Sequence, residues 1–179
     1  MKSMKNASSL YARIAMSKKA CERWLASPIR FVSDYADWPS MNPVMASNYN
    51  EWAETFPRPD FMSVREYLDS IADTSCDYCY EFDDDLGAFF VADARHYTTM
   101  LQIATCIAAL RGAQDFKDDD EPSYIFAFPA ISGGDPDALL EIGRGTSRFL
   151  GANTDEPDVL YFVNEAEEFI EALLDEDED

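Results

Sequence analysis

The segregation of charge along this 179-residue chain is the feature that most constrains its fold. Residues 1–34 carry seven Lys and Arg against two acids, whereas residues 35–179 carry seven against 33. Like charges repel one another, so a net charge of −21 opposes compaction and has to be offset by the burial of apolar side chains. Because nucleic acids and anionic membranes are also negative, we expect no direct binding to either.

The composition provides the apolar side chains that such burial requires. Hydrophobic residues make up 47% of the chain and aromatic residues 13%, which excludes an acidic disordered chain. Aromatic side chains recur from Tyr11 to Phe169, and the length suits one domain. We therefore expect a single acidic domain over residues 1–174 and an acidic C-terminal tail over residues 175–179.

The apolar periodicity alternates between that of strands and that of helices, which is typical of a mixed α/β fold. Leu10, Ala12 and Ile14 alternate with other residues and predict a strand, after which Ser17 caps a short helix. Further strands are predicted at 78–83, 88–91, 124–128 and 159–163, and further helices after Ser63, at 94–111, at 136–142 and from 164. We expect a central sheet of about five strands packed by helices, with one β-hairpin.

The predicted hairpin places aromatic and acidic side chains on opposite faces. Its first strand alternates Tyr78, Tyr80 and Phe82 with Cys79, Glu81 and Asp83, and Gly87 supplies the turn before the second strand. We expect the aromatic face to meet the core and the other face to present acids.

Candidate patterns for metal, phosphate or catalytic sites are weak in this chain. Cys76 and Cys79 have zinc-finger spacing, but no second pair of ligands follows. His96 is the sole histidine, and no serine or cysteine nucleophile motif accompanies it. Gly133 and Gly134 precede acids rather than a lysine at P-loop spacing. We expect no enzyme activity, no cofactor and no metal.

The cysteines and the apolar runs also indicate where the protein works. Four cysteines occur without a secretory signal peptide, which favours a reducing cytoplasm. The most apolar run, residues 100–110, is interrupted by Gln102 and Thr105 and is too short to cross a bilayer. We therefore expect a cytoplasmic protein that does not span a membrane.

The net charge far exceeds the magnitude of about 2 to 8 that keeps a small domain soluble, which indicates that the charge has a use. We expect a stoichiometric inhibitor that binds a basic protein, such as a toxin domain, because opposite charge accelerates association. In size and charge the chain is similar to bacterial immunity proteins as a class. The expected partner-binding residues are the acids of two clusters together with aromatic side chains that would anchor the complex: Tyr78, Tyr80, Glu81, Asp83, Asp84, Asp85, Asp118, Asp119, Asp120, Glu121 and Trp52.

Two alternatives remain open. Carboxylates can imitate the phosphates of duplex nucleic acid and so occupy a DNA-binding or defence protein; such a mimic should display acids in regular rows along a helix or sheet. A carboxylate-dependent enzyme could instead use Glu81 and Asp83 as acid and base if burial raised the pKa of one of them.

Overall fold

The computed structural model describes residues 9–40, 62–73, 78–94, 100–128, 138–150 and 156–175. One antiparallel sheet of six strands, in the order β2-β3-β1-β4-β5-β6, packs against four helices. The strands are β1 Ser9–Ala15, β2 Tyr78–Asp83, β3 Ala88–Asp93, β4 Ser123–Phe128, β5 Ala138–Gly143 and β6 Thr146–Leu150. The helices are α1 Lys18–Leu25, α2 Val64–Ala72, α3 Met100–Arg111 and α4 Pro157–Asp175. The predicted fold class is confirmed, with one strand more than expected.

Local signals in the sequence explain where the first two helices begin. The Ser17 hydroxyl accepts a hydrogen bond from the Ala20 amide at 3.2 Å and so caps α1. At α2, the helix predicted after Ser63, Ser63 and Glu66 form a capping box, in which the Ser63 amide donates to the Glu66 carboxylate at 2.7 Å. These reciprocal bonds satisfy backbone donors that the first turn of a helix otherwise leaves unpaired.

The sheet buries apolar side chains on both faces. On one face the predicted β1 row of Leu10, Ala12 and Ile14 meets α1, α2 and α3 in the larger core cluster. On the other face Tyr11 belongs to a smaller cluster that α4 covers. Burial on both sides explains why β1, at the centre of the sheet, is apolar almost throughout.

Gly87 lies in the turn of the predicted β2–β3 hairpin with φ 60°, a conformation that glycine adopts without a steric penalty. Tyr78, Tyr80 and Phe82 face the larger core cluster, as predicted. The predicted strand at 124–128 is confirmed as the inner strand β4, between β1 and β5.

The prediction of a helix through about residue 142 is wrong, because Ala138–Gly143 forms strand β5. Gly143 pairs with Thr146, and Gly145, at φ 70°, completes a two-residue turn into β6. Along β5, Leu140 and Ile142 face the larger cluster whereas Leu139 faces the smaller one, which is the two-residue period of a strand. The Gly-Arg-Gly spacing was the turn signal that the helical interpretation overlooked.

The prediction of a strand at 159–163 and of a helix beginning near Asn164 is also wrong. A single helix runs from Pro157, a residue whose fixed φ suits the first helical turn. Val159, Phe162, Ala166 and Ile170 are buried at helical spacing. A short apolar run by itself fits either a strand or a helix. Here the buried residues continue at helical spacing as far as Ile170, which indicates a helix.

The remaining predictions about helix ends are tested only in part. Asp93, the residue before the helix predicted over 94–111, is the last residue of β3, and residues 95–99 lie outside the described residues. At the other end of α3 the chain continues from Gly112 as a 3-10 turn. A Cβ atom on Gly112 would lie 3.1 Å from the Arg30 Cγ, so this glycine permits a close approach. None of the described helices combines the length and apolar character needed to cross a membrane.

Candidate functional site

The two predicted acidic clusters lie on either side of the junction between β1 and α1. The Asp118 carboxylate accepts hydrogen bonds from the Ser17 amide, at 2.9 Å, and from the Ser17 hydroxyl. The next residue, Lys18, places its Nζ 2.7 Å from a carboxylate oxygen of Asp84 in the β2–β3 turn. Clusters far apart in the sequence therefore form one surface, which we call the acidic end: Asp83, Asp84, Asp85, Asp118, Asp119, Asp120 and Glu121.

Asp83 and Asp118 organise the backbone of the acidic end. The Asp83 carboxylate accepts hydrogen bonds from the amides of Asp85 and Leu86, at 2.8 and 2.9 Å, and so shapes the hairpin turn. The hydrogen bonds from Ser17 favour the charged form of Asp118 and lower its pKa. Both carboxylates therefore stabilise the loops that carry them.

Cations of the chain lie against most of the other carboxylates at this end. Arg144 lies 3.5 Å from Asp120, and Arg13 lies 3.7 Å from Glu121. The hydrogen bond from Lys18 to Asp84 raises the pKa of the lysine. Since Arg13 and Lys18 belong to the basic first 34 residues, that segment neutralises part of the acidic body internally.

Lys117 is the cation that the sequence analysis missed. Its side chain is 0% exposed, and its Nζ bonds to the Ala15 carbonyl at 2.7 Å and to Asp119 at 2.5 Å. A lysine inside an acidic run carries no sequence signal of burial, because long charged side chains are almost always exposed. Burial here ties the loop at 118–121 to the end of β1.

Burial does not hide the acidic end itself. The Asp84 side chain is 66% exposed, and that of Asp120 is 87% exposed. The surface therefore combines fixed backbone positions with carboxylates that remain open to a partner.

Two of the predicted aromatic anchors, Tyr78 and Tyr80, lie away from the acidic end. Tyr78 is buried at the far end of β2, five residues or roughly 17 Å from Asp83. The Tyr80 ring packs 5.8 Å from that of Phe89, and its hydroxyl is hydrogen-bonded to Asp69 of α2.

Burial raises the pKa of Tyr78, as expected for a phenol removed from water. Glu81 is exposed on the opposite face of β2, and Trp52 lies outside the described residues. The role of Tyr78, Tyr80, Glu81 and Trp52 in partner binding stays a prediction.

Arg111 forms a second charged centre that the sequence analysis missed. The side chain is 3% exposed, and its guanidinium donates to both carboxylate oxygens of Asp37, at 2.8 and 3.0 Å. It also lies 3.9 Å from the centre of the Tyr35 ring and 5.5 Å from that of Trp38. These contacts fasten residues 35–38 to the end of α3, and they leave the guanidinium little access to a ligand.

The outward side of α4 is the other acidic surface. Residues 155–179 contain twelve acids and no Lys or Arg. Leu160 is 51% exposed and Tyr161 is 65% exposed, so the helix presents two apolar side chains beside its acids. We call this surface the α4 outer face and define it by six exposed residues that lie outside the buried row of Val159, Phe162, Ala166 and Ile170: Leu160, Tyr161, Asn164, Glu167, Glu168 and Glu171.

The described residues offer little for a cofactor or a metal. A cleft of about 470 Å³ lies between the loop after α1 and the 3-10 turn after α3, with Arg30, Asp34 and Asp115 in its lining. Arg30, its cation, is already 2.5 Å from Asp115. No group of three His, Cys, Asp or Glu side chains that could hold a metal ion occurs in the described part of the chain. His96, Cys76, Gly133 and Gly134 lie outside it.

Comparison of the chain with protein-family models, with curated proteins and with solved structures found no match.

Proposed function

We propose that this protein is a cytoplasmic, stoichiometric inhibitor that binds a basic protein, of the kind that bacterial immunity proteins form with toxins. The observation that carries the proposal is the acidic end, where two clusters distant in sequence form one exposed surface. The proposed partner presents a positive site, such as the substrate site of an enzyme that acts on an anion.

Preorganisation supports a binding role for the acidic end. The Ser17 and Lys18 contacts hold Asp118 and Asp84 in place before any partner arrives, so little loop ordering is needed on association. Exposed charges fixed in one region steer an oppositely charged protein and raise its association rate. Cys21 and Cys79 form no disulfide bond, which suits a reducing compartment.

The proposal is tested by capture and then by kinetics. Immobilised protein is exposed to lysate of the source cell, bound proteins are identified by mass spectrometry, and the partner is purified. Asp120→Lys should slow association severalfold and leave dissociation nearly unchanged, because its exposed carboxylate steers encounter. The matched control is Asp73→Lys, a reversal at an exposed residue after α2.

The outcomes separate cleanly. Absence of any basic partner at stoichiometric amounts, or equal slowing by Asp120→Lys and Asp73→Lys, would contradict the proposal. Added salt should reproduce the effect of Asp120→Lys, since exposed charges are screened within about 8 Å at physiological ionic strength.

Mimicry of nucleic acid remains the second candidate, and α4 favours it. Glu171 follows Glu168 by three residues and Glu167 by four, so these three acids form a row along one face of the helix. A mimic would release many DNA-binding proteins together when salt is added to the capture column. One partner released alone supports the inhibitor.

A further inference from the structure

We propose that the α4 outer face is a docking surface for a basic protein partner, whose cations surround an apolar pocket that receives Tyr161 and Leu160. The inference rests on the proposed function and goes beyond it, because it adds a contact on α4, where the sequence analysis named no partner-binding residue. Charge complementarity identifies the occupant: residues 155–179 carry twelve acids and no base.

Three acids of α4, Glu167, Glu168 and Glu171, lie where they oppose the stability of the helix, whereas Asp158 in the first turn favours it. The last turn contains no basic residue, although the partial negative charge at the C-terminal end of a helix favours cations. Glu167 and Glu171 are four residues apart and Glu168 and Glu171 are three apart, which are spacings at which like charges repel. Acids that lower the stability of the helix are explained by a role in binding cations of another protein.

Internal pairing relieves little of this repulsion. Glu165 lies 3.8 Å from Arg13, and it is the one α4 acid with an ion pair among the described residues. It flanks the outer face, whereas Glu167, Glu168 and Glu171 are exposed. These three carboxylates are therefore open to cations of another protein.

The apolar pair distinguishes this surface from a plain acidic stripe. Leu160 and Tyr161 are consecutive residues whose exposed side chains point about 100° apart around the outer face, and Glu171 follows eleven residues after Leu160, or about 16 Å along the axis. Tyrosine is enriched among the residues that dominate protein interfaces. A nucleic-acid mimic has no need of such a pair, because phosphates have no apolar counterpart, so the pair favours a protein pocket.

The first experiment measures the cost of the acids without any partner. Thermal unfolding of the whole protein is compared for wild type, E168Q/E171Q and the control Glu66→Gln, which removes a carboxylate charge from the first turn of α2, where the charge favours the helix. E168Q/E171Q should raise Tm by roughly 2–4 °C, whereas the control should lower it. A lower Tm for E168Q/E171Q would show that these acids stabilise the helix and would overturn the inference.

The second experiment locates the contact. A photoreactive benzoylphenylalanine replaces Tyr161 or, as the control at the acidic end, Leu86, which is 55% exposed in the hairpin turn. Both proteins are irradiated in lysate of the source cell, and crosslinked proteins are identified by mass spectrometry. The inference predicts one basic protein crosslinked at position 161, and Tyr161→Ala should weaken its purified complex at least about tenfold.

Each other outcome has a defined meaning. Crosslinking at position 86 alone overturns the α4 inference and leaves the proposed function standing. Crosslinking at neither position contradicts both. An intramolecular crosslink, a crosslinked second copy of the chain or a set of DNA-binding proteins at position 161 overturns the inference by naming a different occupant.

Discussion

The acidic end and the α4 outer face are built from the same residue types but in different electrostatic settings. At the acidic end, Lys18, Lys117 and Arg144 lie against carboxylates, and Asp118 bonds to backbone and hydroxyl groups. The outer-face acids of α4 have no ion pair with the described residues. The acids in the loops therefore contribute in part to the stability of the fold, whereas the outer-face acids of α4 remain available to bind another protein.

The largest expected effect is a difference in the free energy of unfolding between substitutions on the buried face and on the outer face of α4. Phe162 is buried between the Tyr11 and Tyr124 rings, with centroids 5.5 and 5.3 Å away. Phe162→Ala should lower the free energy of unfolding by about 3–4 kcal/mol, because a cavity replaces a core ring. Tyr161→Ala should change it by under about 0.5 kcal/mol, since the ring is exposed. Urea unfolding measures both, and equal losses would contradict the assignment of an outer face.

The next effect tests the internal pairing of the acidic end. Lys117→Met should lower the free energy of unfolding by about 2–3 kcal/mol, because the Ala15 carbonyl loses its buried donor and Asp119 loses its cation. The control is Lys19→Met, at an exposed residue of α1. If the two variants unfold at the same urea concentration, the buried lysine does not hold this loop.

A smaller effect follows from the lowered pKa of Asp118. A carboxyl group whose pKa is lower in the folded protein stabilises it above the unfolded pKa of about 3.9 and loses that contribution as pH falls through the folded pKa. Asp118→Asn should therefore lower Tm at pH 6 and have less effect near pH 3. Ser17→Ala should remove the same pH dependence together with the α1 cap. A difference in Tm between wild type and Asp118→Asn that grows as pH falls would contradict a lowered pKa for Asp118.

The smallest effect compares the two surfaces through salt. Raising NaCl should increase Tm of the wild-type protein, because screening weakens repulsion among exposed acids. E168Q/E171Q should reduce that increase, whereas Asp84→Asn should not, because it breaks the pair with Lys18 rather than relieving repulsion. Parallel salt curves for all three proteins would remove the contrast between the acidic end and α4.

Periodicity and local signals predicted part of the fold well. Ser17, Ser63 with Glu66, and Gly87 each act within a few residues of the chain, so their caps and turn were predictable from short patterns. The alternation of β1 was equally local. Strand β5 and the start of α4 were not predicted, because a short apolar run satisfies either period until neighbouring elements decide its face.

For the candidate site, too, one part was predictable from the sequence and another part was not. The sequence by itself determined that the molecule is strongly acidic and has enough apolar residues for a core. Only the tertiary structure decided which acids remain accessible to a partner. Lys117 is buried against a β1 carbonyl, and Lys18 of α1 pairs with Asp84 in the hairpin turn. On α4, Leu160 and Tyr161 are exposed to solvent. The physical reason is that net charge is a sum over residues, whereas ion pairing and exposure depend on distances between residues far apart in the chain.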